Sequence, residues 1–269
     1  MTADPAPPQR LTTGQVVRDA VVLMRQTFDA AWPWWFFLFV LQTASAAQAS
    51  LNSPAVAPGH APPPPTPLAL GLALGAGAVG ILLGAFALRV MVTGKAERPR
   101  PNGGFWAYAG LTLAAAGAGT AVTLLTAPLA EQAILSQAAA KPATDLLPLM
   151  VAALAGFLVM ALVFARLVLW PVALLAGEKG LGPVASWRRM RGAVWPLIAG
   201  TLLLVLPVTL IGSSVLMLAP TLPLASAPVV GLMGALEGAL QLAVTAAVYR
   251  ARVKAPPIVL PPKPASTRG

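Results

Sequence analysis

The chain has no cysteine and a single histidine, His60. The first absence excludes disulfides, thiolate metal ligands and a cysteine nucleophile. The second argues against a histidine-built zinc site or general-base network. Charge is scarce too. Asp, Glu, Lys and Arg make up 10% of the 269 residues, against about 25% in an ordinary soluble domain. Apolar residues make up 57% and mean hydropathy is +0.77. Such a chain has too few polar residues to cover a water-soluble fold and too much hydrophobicity for disorder. The composition specifies an all-α integral membrane protein.

The charge that is present is unbalanced, 18 Lys and Arg against 8 Asp and Glu, a net charge of +10. On a soluble domain that excess points to nucleic acid. Here it marks loops beside anionic headgroups, and no nucleic-acid partner is expected. The abundance of Ala, Gly and Pro is that of a GC-rich bacterial genome.

A hydrocarbon core about 30 Å thick is crossed by roughly 20 apolar residues. Six runs qualify: Trp34–Leu51, Leu68–Val92, Phe105–Ala130, Leu146–Ala176, Val194–Ala219 and Val229–Tyr249. The first is the weakest, because Gln42 and Gln48 interrupt it. The connecting segments alternate in charge. Arg10, Arg18 and Arg25 precede the first run. Arg89, Lys95, Arg98 and Arg100 surround the second loop; Arg166, Lys179, Arg188, Arg189 and Arg191 surround the fourth; Arg250, Arg252, Lys254, Lys263 and Arg268 follow the last run. The other segments hold Lys141 alone. This asymmetry places both termini in the cytoplasm of a bacterial inner membrane. No short apolar h-region with a cleavage site precedes the first run, so it is expected to stay in the mature chain. The expected organisation is an N-terminal arm (residues 1–33), a membrane domain (34–250) and a Pro-rich tail (251–269), whose Pro261–Pro264 spacing is weak recognition evidence.

Two segments are expected to lie on the membrane surface. In Leu11–Ala31, Val17, Val21, Met24, Phe28 and Ala31 recur every three or four residues, opposite Gln15, Arg18, Arg25, Gln26 and Asp29. That is an amphipathic helix, with Thr12 or Thr13 as its N-cap. It lies in the headgroup region or packs on the bundle end, or both. The second segment starts at Gly182-Pro183, with Val184, Trp187 and Val194 along one side. Trp32-Pro33 aligns with Trp195-Pro196, and Arg25 then falls on Arg188. This suggests a duplication of three spans plus three. Every Trp lies at the cytoplasmic ends of the runs or in the cytoplasmic segments, where an indole is anchored best.

The stretch Ala165–Gly200 reads ARLVLWPVALLAGEKGLGPVASWRRMRGAVWPLIAG. It resembles the six-helix YciC-like bacterial membrane proteins and the membrane region of some glycerophosphoryl diester phosphodiesterases. The matching positions are Arg166, Pro171, Glu178, Gly180, Ser186, Arg189, Gly192 and Trp195, with Lys179 inserted where Glu-Gly would be tighter. The resemblance implies an inner-membrane protein without a catalytic site in its membrane part. Phosphodiesterase activity is not carried over, because the chain has no room for that catalytic domain.

Ionisable residues inside a bilayer are costly and attract functional readings. Glu237 lies near the middle of the sixth run, one turn from Gln241. It binds a cation, relays a proton or contacts a substrate amine; or it pairs with Arg89 or Arg166, or stays protonated. Gln42, Gln48 and Gln241 are suited to bridging helices. Arg89 and Arg166 either snorkel to the headgroups or join Arg188, Arg189 and Arg191 in a pocket for anionic lipid. Gly71/Gly75, Gly80/Gly84 and Gly234/Gly238 are GxxxG pairs suited to close helix packing. There is no HExxH, no paired carboxylate within a run and no base for Ser213-Ser214.

No enzyme and no cofactor are therefore expected. The expected function is a lipid-associated scaffold or accessory subunit, with a protein partner or a second copy. The alternative is a small transporter, channel or lipid translocator.

Overall fold

A computed structural model describes residues 11–52, 66–96, 101–138, 147–178, 180–218 and 223–253, and among these it is all helical. The order is α1 (Thr13–Asn52), α2 (Pro67–Thr93), α3 (Gly103–Ala138), α4 (Leu147–Leu167), α5 (Leu169–Leu175), α6 (Pro183–Arg189), α7 (Val194–Leu218) and α8 (Pro223–Val253). The Pro261–Pro264 spacing and Lys141 lie outside the described residues.

Among the described residues, four stretches are long and apolar enough to cross a membrane: Pro67–Thr93, Leu154–Leu175, Val194–Val215 and Ala225–Val253. They correspond to the second, fourth, fifth and sixth runs. The first and third runs fall on α1 and α3, which are helical but not among those four.

Helix ends follow local chemistry. Thr12 and Gln15 form a capping box: the Gln15 N–H donates to Thr12 Oγ1 at 3.3 Å, and the Thr12 N–H donates to Gln15 Oε1 at 3.1 Å. Thr66 caps α2 ahead of Pro67, accepting from the Ala69 N–H. Asn102 Oδ1 accepts from the N–H groups of Gly104 and Phe105 at the start of α3. Gly177 (φ 88°) ends α5, and the next N–H, on Glu178, donates back to the Ala173 carbonyl at 2.9 Å. Only glycine takes that left-handed position without strain.

Two prolines break what reads as continuous helix. α1 bends at Ala31 (φ −133°, ψ 16°), with Pro33 just beyond. Pro33 has no N–H for the Asp29 carbonyl, and its ring crowds that carbonyl. The amphipathic segment and the first run are thus two halves of one bent helix. The fourth run, expected as one helix, is interrupted at Val168, where α4 gives way to α5. Pro171 lies four residues after Leu167, the last residue of α4, so the same missing donor explains the break. The bend in α1 is a kink within helix, whereas α6 and α7 are joined by a turn over Met190–Ala193. The two lead-ins aligned in sequence therefore differ in backbone.

The core is concentrated at one end of the bundle. Its main cluster joins the first half of α1 (Val16, Ala20, Leu23), the C-terminal part of α2 (Leu88, Met91), Phe105 of α3, Leu169, Val172, Ala173 and Leu175 of α5, Met190, Ala193 and Leu197, and the C-terminal part of α8 (Ala243, Val244 and Ala246 to Tyr249). A smaller cluster sets Ala31, Trp35 and Leu38 of α1 against Leu83 and Ala87 of α2 and Ala239 of α8. Away from that end, large apolar side chains are exposed: Leu68, Leu74, Leu113, Leu154, Leu158, Leu203, Leu210 and Leu232. These are surfaces that lipid covers in a bilayer.

The first half of α1 packs on the bundle through a face beside the expected apolar stripe. Its buried face is Val16, Ala20, Leu23, Thr27 and Ala31, offset by about one residue from the predicted stripe. Val21 and Phe28 of that stripe are exposed. The helix has two apolar faces, one packed on α7 and α8 and one left for another medium. On the expected side of the second segment, Val194 is buried, Trp187 is partly covered by Arg166 and Val184 is exposed, while Ser186 is fully buried.

The glycine pairs are used selectively. Gly71 and Gly75 have open space where a Cβ would go, and Gly238 does too. Gly84 meets the Tyr108 hydroxyl, and Gly104 lies against the backbone of Leu174, where a Cβ would come within 2.6 Å. Gly231, not Gly238, accompanies Gly234 where α8 closely approaches α1, against Thr43 and Gln42.

Candidate functional site

The basic end of the bundle holds most of the residues singled out for lipid headgroups. Arg166 comes from the last turn of α4. Its guanidinium lies 4.8 Å from the ring centroid of Trp187 on α6, a cation–π stack. Ser186, beside Trp187, donates from Oγ to the Arg166 carbonyl at 2.7 Å. Arg188 and Arg189 occupy the last turn of α6 and are exposed, as is Arg191 in the turn that follows. Arg89 stands on a different helix, α2, half-buried near its C-terminal end.

The structure adds residues to this end. Arg252 of α8 reaches the α6–α7 turn; one of its guanidinium nitrogens would be 3.5 Å from a Cβ on Gly192. Tyr249 is fully buried among α8's neighbours, with Glu178 and Arg189 within electrostatic reach of its hydroxyl. Asp19 of α1 lies within reach of Arg250. No spacing in the sequence connects Arg166 with Trp187, or Arg252 with Gly192. The resemblance did single out Arg166, Pro171 and Ser186. All three lie at the α4–α5 junction: Arg166 supplies the carbonyl, Ser186 the hydroxyl that bonds it, and Pro171 leaves the neighbouring Leu167 carbonyl without its helical N–H.

Aromatic side chains surround this end. Trp32, Trp34, Trp106 and Trp195 are exposed, Trp195 most at 73%. Trp35 is buried in the small cluster.

A second feature lies at the bend of α1. A groove of about 580 Å³ runs between α1 and the first half of α8. Phe28, Trp32, Trp35, Phe36 and Phe39 line one wall; Pro228, Val229, Leu232, Leu236 and Ala239 line the other. The volume falls within the roughly 300–1,000 Å³ typical of small-molecule pockets. Its apolar lining suits a hydrocarbon chain and offers no group for acid–base chemistry.

The third feature is the intramembrane carboxylate. Thr209 of α7 donates from Oγ1 to Glu237 Oε1 at 2.7 Å. Glu237 thus has a neutral partner on α7, while Arg166 is stacked on Trp187. Gln241, one turn on, is exposed. Gln42 packs over Gly234, and its Oε1 is buried without a hydrogen-bond partner. Among the described residues no group of three or more His, Cys, Asp or Glu is gathered in metal-ligand fashion.

Comparison with models of protein families, with curated proteins and with solved structures gave no match.

Proposed function

We propose that this chain is a non-enzymatic protein of a bacterial cytoplasmic membrane that binds anionic lipid at its basic end and serves as a scaffold or accessory subunit. In this reading all six apolar runs span the bilayer, as two sets of three, and both termini are cytoplasmic. The likeness to the YciC-like family enters through the Ala165–Gly200 motif, the amphipathic N-terminal lead-in and the six-span layout.

The observation that carries the reading is the Arg166–Trp187 stack with Arg188 and Arg189 exposed beside it on α6. Aromatic rings next to unburied guanidinium groups suit the headgroup layer, where the ring is immersed and the charge meets phosphate. The outward apolar face of α1's first half supports the same placement, since Val21 and Phe28 are about half exposed. The groove at the α1 bend suits an acyl chain.

The test is native mass spectrometry of the intact chain released from nanodiscs of native lipid. Retained anionic lipid that is lost in the Arg188→Ala/Arg189→Ala variant supports the reading. A chain that carries no lipid, or lipid unaffected by those substitutions, overturns it.

A second reading, a small transporter or lipid translocator, is favoured by the Thr209–Glu237 bond at membrane depth. It predicts that reconstituted protein moves a solute or lipid and that Glu237→Gln changes the rate. Unchanged flux removes Glu237 from any such mechanism.

A further inference from the structure

α8 carries a polar stripe through an apolar helix. Gly234, Glu237, Gln241 and Thr245 follow one another at three- and four-residue intervals, so they share one side. Gln42 of α1 covers Gly234 at one end of the stripe. Thr209 of α7 holds Glu237 in the middle. Beyond these contacts the stripe is open: Thr209 and Gln241 are exposed, and so is Ser213, one turn along α7 from Thr209. Both helices contain stretches long and apolar enough to cross a membrane, Val194–Val215 and Ala225–Val253, and Thr209, Ser213, Glu237 and Gln241 fall inside them.

This arrangement is unfavourable for a lone chain in a bilayer. Ionisable and amide side chains at that depth normally face the bundle interior or water, because lipid offers them no hydrogen bond. Here Gln241 faces outward, and Glu237, half-buried, is met by Thr209 alone among the described hydrogen bonds. Whatever covers them must present hydrogen-bonding groups at the same depth. A second copy of the chain, inserted the same way up and related by a two-fold axis along the membrane normal, does so by construction. A different protein would have to match the depth independently.

The chemistry is also self-complementary. A threonine hydroxyl and a glutamine amide each donate and accept. The Gln241 amide of one copy can donate to the Glu237 carboxylate of the other. Gly238, between them in sequence, has open space where a Cβ would be, which permits close approach of a facing helix.

We propose that the outer face of α7 and α8 carrying Thr209, Glu237 and Gln241 is the surface through which two copies of this chain associate in the membrane. The proposal stands apart from lipid binding at the basic end.

The absence of native cysteine makes a direct test available, since any introduced thiol is the only one. Ser213→Cys is small, conservative and exposed on the proposed face. Oxidation of membranes containing the full chain with this substitution is expected to give a covalent species of twice the chain mass. Leu82→Cys and Leu113→Cys, exposed on α2 and α3, serve as collision controls and are expected to stay monomeric. Adding Glu237→Leu and Gln241→Leu to Ser213→Cys is expected to abolish the dimer, whereas adding Glu237→Gln, which keeps hydrogen-bonding capacity, is expected to preserve it. The proposal is overturned by equal dimer in the controls, by no dimer from Ser213→Cys, by a crosslink to a protein of different mass, or by a dimer that survives the double leucine change.

Discussion

Ser186 Oγ donates to the Arg166 carbonyl at 2.7 Å, joining α6 to the end of α4 across twenty residues of sequence. The bond lies where α4 hands over to α5, one residue before Leu167, whose carbonyl lacks the N–H that Pro171 cannot supply. It fixes α6 in the position where Trp187 lies over the Arg166 guanidinium. One proline, one serine and one tryptophan thereby shape the basic end.

Ser186→Ala should lower stability by about 1–3 kcal/mol, because Ser186 is completely buried and its loss strips a buried carbonyl of a donor. Thermal unfolding in detergent, followed by helix content, checks this. A midpoint equal to that of the unaltered chain would show that the bond adds nothing net.

The Arg166–Trp187 stack should give a coupling of about 0.5–2 kcal/mol. A double-mutant cycle with Arg166→Gln and Trp187→Leu measures it. Strict additivity would mean that the guanidinium gains nothing from the ring.

Glycine-to-alanine changes should divide by location. Gly104→Ala and Gly231→Ala should destabilise, since the new Cβ meets backbone of Leu174 or Thr43 that cannot step aside. Gly71→Ala and Gly75→Ala meet nothing within 4 Å and should be neutral or stabilising by up to about 1 kcal/mol, through helix propensity alone. Detergent melting curves of the four variants decide the matter. A uniform response in all four would refute the assigned packing.

Topology is testable in the same cysteine-free background. With six spans, Lys95→Cys and Arg191→Cys react with an impermeant thiol reagent from the cytoplasmic side, and His60→Cys reacts from the other. If α3 does not cross, positions 95 and 191 fall on opposite sides, because α4–α5 alone separates them.

Much of the helix layout is legible in the sequence. Long apolar runs, the Thr12 cap, the Gly182-Pro183 start and the proline-marked boundary near Ala31 each rest on chemistry within a few residues, which the chain carries wherever it folds. The interruption at Val168 was readable from Pro171 but is masked by the length of the apolar run around it. The extent of α3 and the early start of α8 were not readable, since Glu131 and Gln132, like Pro223 and Pro228, look like loop residues.

The sequence by itself determined that this is a membrane protein with helices, where most of those helices begin and end, and which segments carry the positive charge. Hydrophobicity and proline geometry act locally, so they are written in order along the chain. Only the tertiary structure decided which of two apolar faces α1 buries, that the packed core collects at the basic end, which glycines admit a neighbouring helix, and that Glu237 meets Thr209. These are contacts between residues far apart in sequence. In a chain this rich in apolar side chains many pairings satisfy the same hydrophobic pattern, and shape complementarity selects among them.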